Sequence, residues 1–242
     1  MRLAVILPAA GQGKRFAESG GTGHKLEIKI AGRTVLERAI DLFDKRPEVS
    51  QIIVAVDPDQ LDHFQLRWGD KLGFMGVSIV AGGQAERWET VLNALREVED
   101  GVTHVAVHDA ARPVTDPAAI DRVLAVAEEH PAVIPAVPCS ATLKRAEPLT
   151  AAESQPEERD PLDAILGSAG KVVVERHRVV ETVPRDGLWL VQTPQVFERS
   201  LLERAYQQIA DGKITGQTIT DDAGLVEALG EPGLITRGDV LN

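Results

Sequence analysis

The sequence predicts an α/β fold: one doubly wound, mostly parallel sheet with a projecting β-hairpin arm. Two observations carry the sheet and a third carries the arm. Leu3-Ala4-Val5-Ile6-Leu7 is a continuous apolar run, as expected of a strand covered on both faces. Behind it, short apolar runs alternate with amphipathic segments, the rhythm of a wound parallel sheet. The rhythm then breaks from Glu147 to Gly170, an acidic, Pro-containing stretch between two β-prone segments.

Taken in order, the first strand stops at Pro8 and gives way to a Gly-rich, basic loop reaching about Arg33. Thr34-Val35-Leu36-Glu37 reads as a capping box that opens a helix to about Phe43. Ile52 to Val56 is the next strand, and Asp57-Pro58 supplies the cap and first residue of the helix after it. Val77 to Val80 is a strand followed by Gly82-Gly83. Glu86 to Val98 sets Trp88, Val91, Leu92, Leu95 and Val98 on one helical face. Val102 to Val107 is a strand, Asp116 to about Glu129 a helix and Val133 to Val137 a strand. Ala141 to Arg145 and Lys171 to Val183 form the two sides of the arm. Helices from Phe197 to Ile209 and from Asp221 to Leu229, the latter capped by Thr220 or Asp221, complete the pattern. The reading is a single domain over residues 1–242, with the arm and its acidic insertion at about 139–185.

Composition narrows the function. Lys plus Arg number 26 against 37 Asp plus Glu, a formal charge of −11, so nucleic acid and anionic membranes are disfavoured as partners. An anionic ligand must be met by a local cluster of basic side chains and backbone N–H groups. Cys139, the only cysteine, excludes an intramolecular disulfide and reads as an inert small residue. The first apolar run is too short to span a membrane and lacks a signal-peptide layout, so the expected location is the cytoplasm. His63, His130 and His177 show no metal-ligand spacing.

Two segments carry chemistry. Pro8-Ala9-Ala10-Gly11-Gln12-Gly13-Lys14-Arg15 follows the first strand, where parallel sheets bind ligands. Its small residues let the backbone approach an anion, and Arg15 with Lys25 supplies charge suited to a triphosphate. It is neither the Walker phosphate loop nor the dinucleotide fingerprint, whose third glycine is absent. The alternative is an ordinary Gly-rich turn with solvated basic residues. His108-Asp109-Ala110-Ala111-Arg112-Pro113 ends a later strand. A carboxylate there suits Mg2+ bridging phosphate oxygens, with Arg112 on a second phosphate. The alternative assigns Asp109 to capping a turn and Arg112 to a surface pair, and His108 alone reads as structural.

Together LPAAGQGKR, HKLEIKIAGRTVLERAI, the GG…ER…TV pattern of Gly82 to Val91, VHDAARP, TLKR, VPRDGLWLVQTPQVF and TIT-DDA resemble the 2-C-methyl-D-erythritol 4-phosphate cytidylyltransferase family over nearly the whole chain. The resemblance implies a Rossmann-like nucleotidyltransferase that joins CMP from CTP to a small polyol phosphate and releases pyrophosphate, with Mg2+ as cofactor. It implies that Ala9, Ala10, Gly11 and Gly13 meet the nucleotide and that Gly82, Gly83 and Thr90 read cytosine. Arg15 and Lys25 would brace the triphosphate and Asp109 would sit by the metal. Arg112 and Thr220 would lie near the polyol phosphate. Thr142 and Arg185, on the arm, would complete a partner's site in a homodimer. Trp88 reads as helix-face core and Trp189 as packing beneath the site.

Three departures from the family pattern stand out. Gly23-His24 precedes Lys25 where the family has a proline, within an unusually Gly-rich loop expected to order on CTP binding. The stretch from Gly82 to Arg87 is about one residue longer than usual, which affects the base contact. The family continues past the position of Asn242 with a strand bearing a lysine, a contact that would strengthen polyol binding. The rival readings are a ribitol 5-phosphate cytidylyltransferase, a non-catalytic nucleotide-binding regulatory module and, more distantly, an NAD-type oxidoreductase.

Overall fold

Burial of the first strand organises everything around it. In the computed structural model, which describes residues 1–11, 25–149, 176–214 and 220–242, β1 (Leu3–Pro8) lies in the middle of an eight-stranded sheet. Its side chains alternate between two cores, as strand geometry requires. Leu3, Val5 and Leu7 enter one core, and Ala4 and Ile6 enter the other.

A two-residue ribbon, β2 (Lys29–Ile30) with β3 (Arg33–Thr34), leads into α1 (Val35–Asp41). The capping box is present: Glu37 N donates to Thr34 Oγ1 at 3.3 Å, and Thr34 N donates to the Glu37 carboxylate at 2.8 Å. That buried carboxylate also pairs with Lys71 Nζ at 2.5 Å. β4 (Val49–Val56) pairs in parallel with β1, and Asp57 caps a single turn that runs into α2 (Leu61–Phe74). β5 (Val77–Ala81), α3 (Arg87–Arg96), β6 (His104–Val107), α4 (Pro117–Ala127) and β7 (Ala132–Pro138) follow. After β8 (Leu143–Pro148) and β9 (His177–Val183), the chain forms β10 (Trp189–Val191), β11 (Gln195–Glu198), α5 (Arg199–Ala210), α6 (Asp222–Ala228) and β12 (Leu234–Arg237).

The strand order is β10-β7-β11-β6-β1-β4-β5, with β12 also paired to β7. β5, β4, β1 and β6 are mutually parallel, and β11 runs against β6 and β7. Side chains of α1, α2 and α4 fill the first core and those of α3, α5 and α6 the second, so the sheet is covered on both faces. The chain leaves β1 toward β4 and β5 on one side, then returns to β6 on the other. The ends of β1 and β6 therefore flank the point where the strand order reverses, the usual ligand crevice of such sheets.

The doubly wound, mostly parallel sheet matches the expectation, with differences at its far edge. The helix expected from Phe197 begins at Arg199, because residues 195–198 form β11. Val196 faces the first core and Phe197 the second, the alternation of a strand. β10 and β12 also had no counterpart in the sequence reading. Contacts divide the chain into two units, residues 1–137 with 190–242 and residues 138–189. In the second unit β8 and β9 pair antiparallel from Leu143–Val183 to Pro148–His177. Most of the acidic insertion, from 150 onward, lies outside the described residues, as does the Gly-rich loop 19–23. Among the described residues no helix is long and apolar enough to cross a membrane.

Candidate active site

Main-chain bonds fix the loops before any side chain acts. Ala9 N donates to Ala55 O at 2.7 Å, which carries the β1–β4 pairing one residue past the end of β1. Ala9 is buried, Ala10 half-buried and Gly11 exposed, so the backbone rises to the surface over three small residues. Lys25 lies in a single helical turn after the loop, and its Nζ stands 3.9 Å from where a Cβ on Gly11 would be. Lys25 has no carboxylate partner among the described residues. Gly13 and Arg15 lie outside the described residues.

The end of β5 is built the same way. Gly82 N donates to Val56 O at 2.7 Å, Gly82 O accepts from Asn93 Nδ2 at 2.8 Å, and Gly83 N donates to Thr90 Oγ1 at 3.0 Å. Both glycines are needed for this approach. A Cβ on Gly82 would come within 2.8 Å of Thr90 Cγ2, and one on Gly83 within 2.3 Å of Glu89 Cβ. Thr90 is buried, so in this arrangement it supports the loop from beneath. Glu89 Oε2 accepts from Ala85 N at 3.0 Å and Glu86 N at 3.3 Å, closing the first turn of α3. Gly82 to Ala85, Glu89 and Asn93, with Pro58, Trp88, Leu92 and Ala210, line an open hollow of about 560 Å³. Trp88 is half-buried against the second core.

Asp109 stands just past the Ile6–Val107 pair, level with the end of β1. His108 is fully buried, edge-on to Phe43 at 5.2 Å. Thr193 Oγ1 accepts from Asp109 N at 3.3 Å and lies 3.1 Å from His108 Nδ1. The Thr193 hydroxyl proton therefore points to Nδ1, and Nε2–H donates to Arg112 O at 3.0 Å. Burial lowers the His108 pKa to about 4, so the ring is neutral and structural, as the sequence suggested. Arg112 Nε donates to Asp109 Oδ2 at 3.1 Å.

A second arginine joins this pair. Arg87, at the start of α3, sets Nη2 3.6 Å from Asp109 Oδ1 and Nη1 2.9 Å from Asp222 Oδ2. Asp222 is fully buried and accepts a short hydrogen bond from the buried Tyr206 hydroxyl. Burial works to raise the Asp109 pKa, but Arg87 and Arg112 outweigh it and hold the carboxyl below its ordinary range. Burial works to lower that of Arg87, and Asp222 and Asp109 more than reverse it. Thr220 is exposed directly before Asp221, whose carboxylate caps α6 through Gly224 N at 3.0 Å. Gln195 links that cap back to β11, donating to Asp221 Oδ2 at 2.8 Å and accepting from Ala223 N at 3.0 Å.

Asp109 and Arg112 thus pair directly, while Ala9 to Gly11 and Lys25 meet at the end of the adjacent strand. In the second unit Thr142 and Arg185 are exposed, and Arg185 donates to Ser140 O. Trp189, read as packing beneath the site, instead leaves 42% of its surface exposed. Sequence reasoning passed over Arg87, Asp222, Tyr206 and Thr193. The ER, TIT-DDA and QTPQVF motifs contained Arg87, Asp222 and Thr193, but nothing local marks residues whose partners lie on other elements.

A solved cytidylyltransferase from Thermus thermophilus covers 100% of this chain and 91% of its own, with a TM-score of 0.68 and 27% identity. The fold is that of a nucleotidyltransferase. A relative from Frankia casuarinae named 2-C-methyl-D-erythritol 4-phosphate cytidylyltransferase is 42% identical over 96% of this chain and 71% of its own length. One of the same name from Alkaliphilus metalliredigens is 36% identical over 95% and 81%. The 2-C-methyl-D-erythritol 4-phosphate cytidylyltransferase model matches residues 3–167 and 168–242. The chain belongs to that family of cytidylyltransferases.

Proposed function

We propose that the protein transfers CMP from CTP to 2-C-methyl-D-erythritol 4-phosphate, giving 4-diphosphocytidyl-2-C-methyl-D-erythritol and pyrophosphate for isoprenoid synthesis. One observation carries the reading beyond family membership. A small-residue turn with Lys25 over it and an Asp109–Arg112 pair occupy neighbouring strand ends at the reversal point of the sheet.

The chemistry asks little of the protein in covalent terms. An ionised oxygen of the polyol phosphate attacks the α-phosphorus in line. The new P–O bond forms as the bond to the bridging oxygen of the β-phosphate breaks, and pyrophosphate leaves with that electron pair. The nucleophile already carries its charge, so no base is required. Lys25 and Arg15 stabilise negative charge at the α-phosphate, and Arg112 with Thr220 orients the polyol phosphate. The Gly82-Gly83 turn, held by Thr90 and Asn93, commits both its N–H groups to the fold and meets cytosine through its carbonyl oxygens.

Mg2+ fits this site as an ion brought in on the triphosphate. Asp109 Oδ1 lies beyond hydrogen-bond distance of Arg87, so one hard oxygen is open on a half-buried carboxylate. Among the described residues no three His, Cys, Asp or Glu side chains group so as to hold a metal ion by themselves. Bound there, the ion would offset charge on the phosphate oxygens. A homodimer in the cytoplasm completes the proposal. Val179, Val180, Leu188 and Trp189 of the second unit are exposed apolar side chains of the kind a partner covers, with Thr142 and Arg185 serving the partner's site.

Pyrophosphate release with CTP and Mg2+, compared between methylerythritol phosphate and ribitol 5-phosphate, tests the reaction. Faster turnover with ribitol phosphate would replace the substrate assignment. No release with either would favour the nucleotide-binding module. Sedimentation tests the dimer.

A further inference from the structure

The group behind Asp109 contains more than the transfer reaction uses. Arg87 from α3 faces two carboxylates, Asp109 after β6 and Asp222 in the first turn of α6. They do not share it equally, since its distance is 2.9 Å to Asp222 and 3.6 Å to Asp109. Burial explains the bias. Asp222 has no access to water, so its charge must be met by protein donors, whereas the Asp109 side chain is 37% exposed and partly solvated. Tyr206, itself buried on α5, fixes the other Asp222 oxygen.

The consequence appears at Asp109. Its Oδ2 is engaged by Arg112 at 3.1 Å. Were Arg87 to close onto Oδ1, each oxygen would carry a guanidinium hydrogen bond, leaving less charge and fewer lone pairs for an incoming ligand. We propose that Asp222, anchored by Tyr206, is a positioning residue that restrains Arg87 and so keeps one oxygen of Asp109 open. The device ties α6, and with it Thr220, to the strand end through a single guanidinium.

Asp222→Asn keeps the shape and an acceptor for Tyr206 but removes the competing charge. In a crystal structure of that variant, Arg87 should move to about 3 Å from Asp109 Oδ1, a normal hydrogen-bond distance. The kinetic arm rests on the transfer reaction proposed above. There kcat/KM should fall about tenfold or more, and adding Arg87→Met should recover at least about threefold of it, because the competing guanidinium is gone. A merely structural Asp222 predicts the opposite sign, with the double variant no better or worse. If Asp222→Asn does not fold, Tyr206→Phe loosens the same anchor and should shift Arg87 in the same direction. Arg87 left in place in the variant structures, or no recovery in the double variant, would overturn the proposal. A parent protein that releases no pyrophosphate would sink the functional reading instead, and the crystal structures would still decide the role of Asp222.

Discussion

Gly83→Ala is the sharpest test of how the nucleotide loop is held. The added methyl would sit 2.3 Å from Glu89 Cβ and 2.9 Å from both Glu89 Oε2 and Thr90 N. Carbon atoms rest at 3.5–4.0 Å, so loop and helix must separate by about 1.5 Å. That movement breaks the Gly83–Thr90 bond and disturbs the two bonds from Ala85 and Glu86 to Glu89. With about 1 kcal/mol per net hydrogen bond and a similar charge for overpacking, the cost is about 3 kcal/mol. CTP binding should weaken about tenfold or more, since the loop carries the base edge. Urea melts measure the first effect and isothermal titration with CTP and Mg2+ the second. Gly69→Ala is the control, because nothing lies within 4 Å of its Cβ on helix α2. It should gain up to about 1 kcal/mol and leave CTP binding unchanged. A Gly83→Ala protein that melts with the parent and binds CTP equally would refute the reasoning.

Other outcomes follow from the same geometry. Lys25→Ala and Arg15→Ala should each lower kcat about a hundredfold or more while the melting temperature holds, as steady-state kinetics and calorimetry would show. Thr193→Val strips a donor from His108 and an acceptor from Asp109 N, so urea melts should reveal a loss of about 2 kcal/mol, with slower turnover. Glu37 has a pKa lowered from 4.5 to about 2: burial alone would raise it, and the bonds from Lys71 and Thr34 outweigh that. A depressed carboxyl stabilises the fold above its unfolded pKa and loses that contribution as pH falls. The shift corresponds to about 3 kcal/mol, discounted to about 2 because Lys71 is half-exposed. Glu37→Gln should therefore lose about that much at pH 7, and the gap to the parent should shrink by more than half at pH 3. A gap independent of pH would contradict the assignment.

The parts of the fold legible in the sequence were those where one local rule dominates. Leu3 to Leu7 announces a central strand because both faces are buried, and the Thr34–Glu37 box fixes a helix start through two reciprocal bonds. β11 was hidden because four residues abut α5 without a turn between them. Its identity comes from β6 and β7, not from its own composition. The same division holds in the site. Strand-end loops marked Lys25, Asp109 and Arg112, since position and residue type suffice there. Arg87, Thr193 and Tyr206 act through partners remote in sequence, and no local pattern distinguishes them from surface or core residues.

The reversed direction of β11 sets which of its flanks is open to redesign for ligand contact. Gln195 is level with Val107, while Glu198 is level with His104 and its N–H donates to Pro131 O. The strand thus enters at the ligand rim and exits at the base of the molecule. New residues spliced just before Gln195 would land beside Asp109 and alter which small molecules are admitted. The same residues spliced after Glu198 would emerge near Thr103, at the far end of the sheet, and leave selectivity untouched.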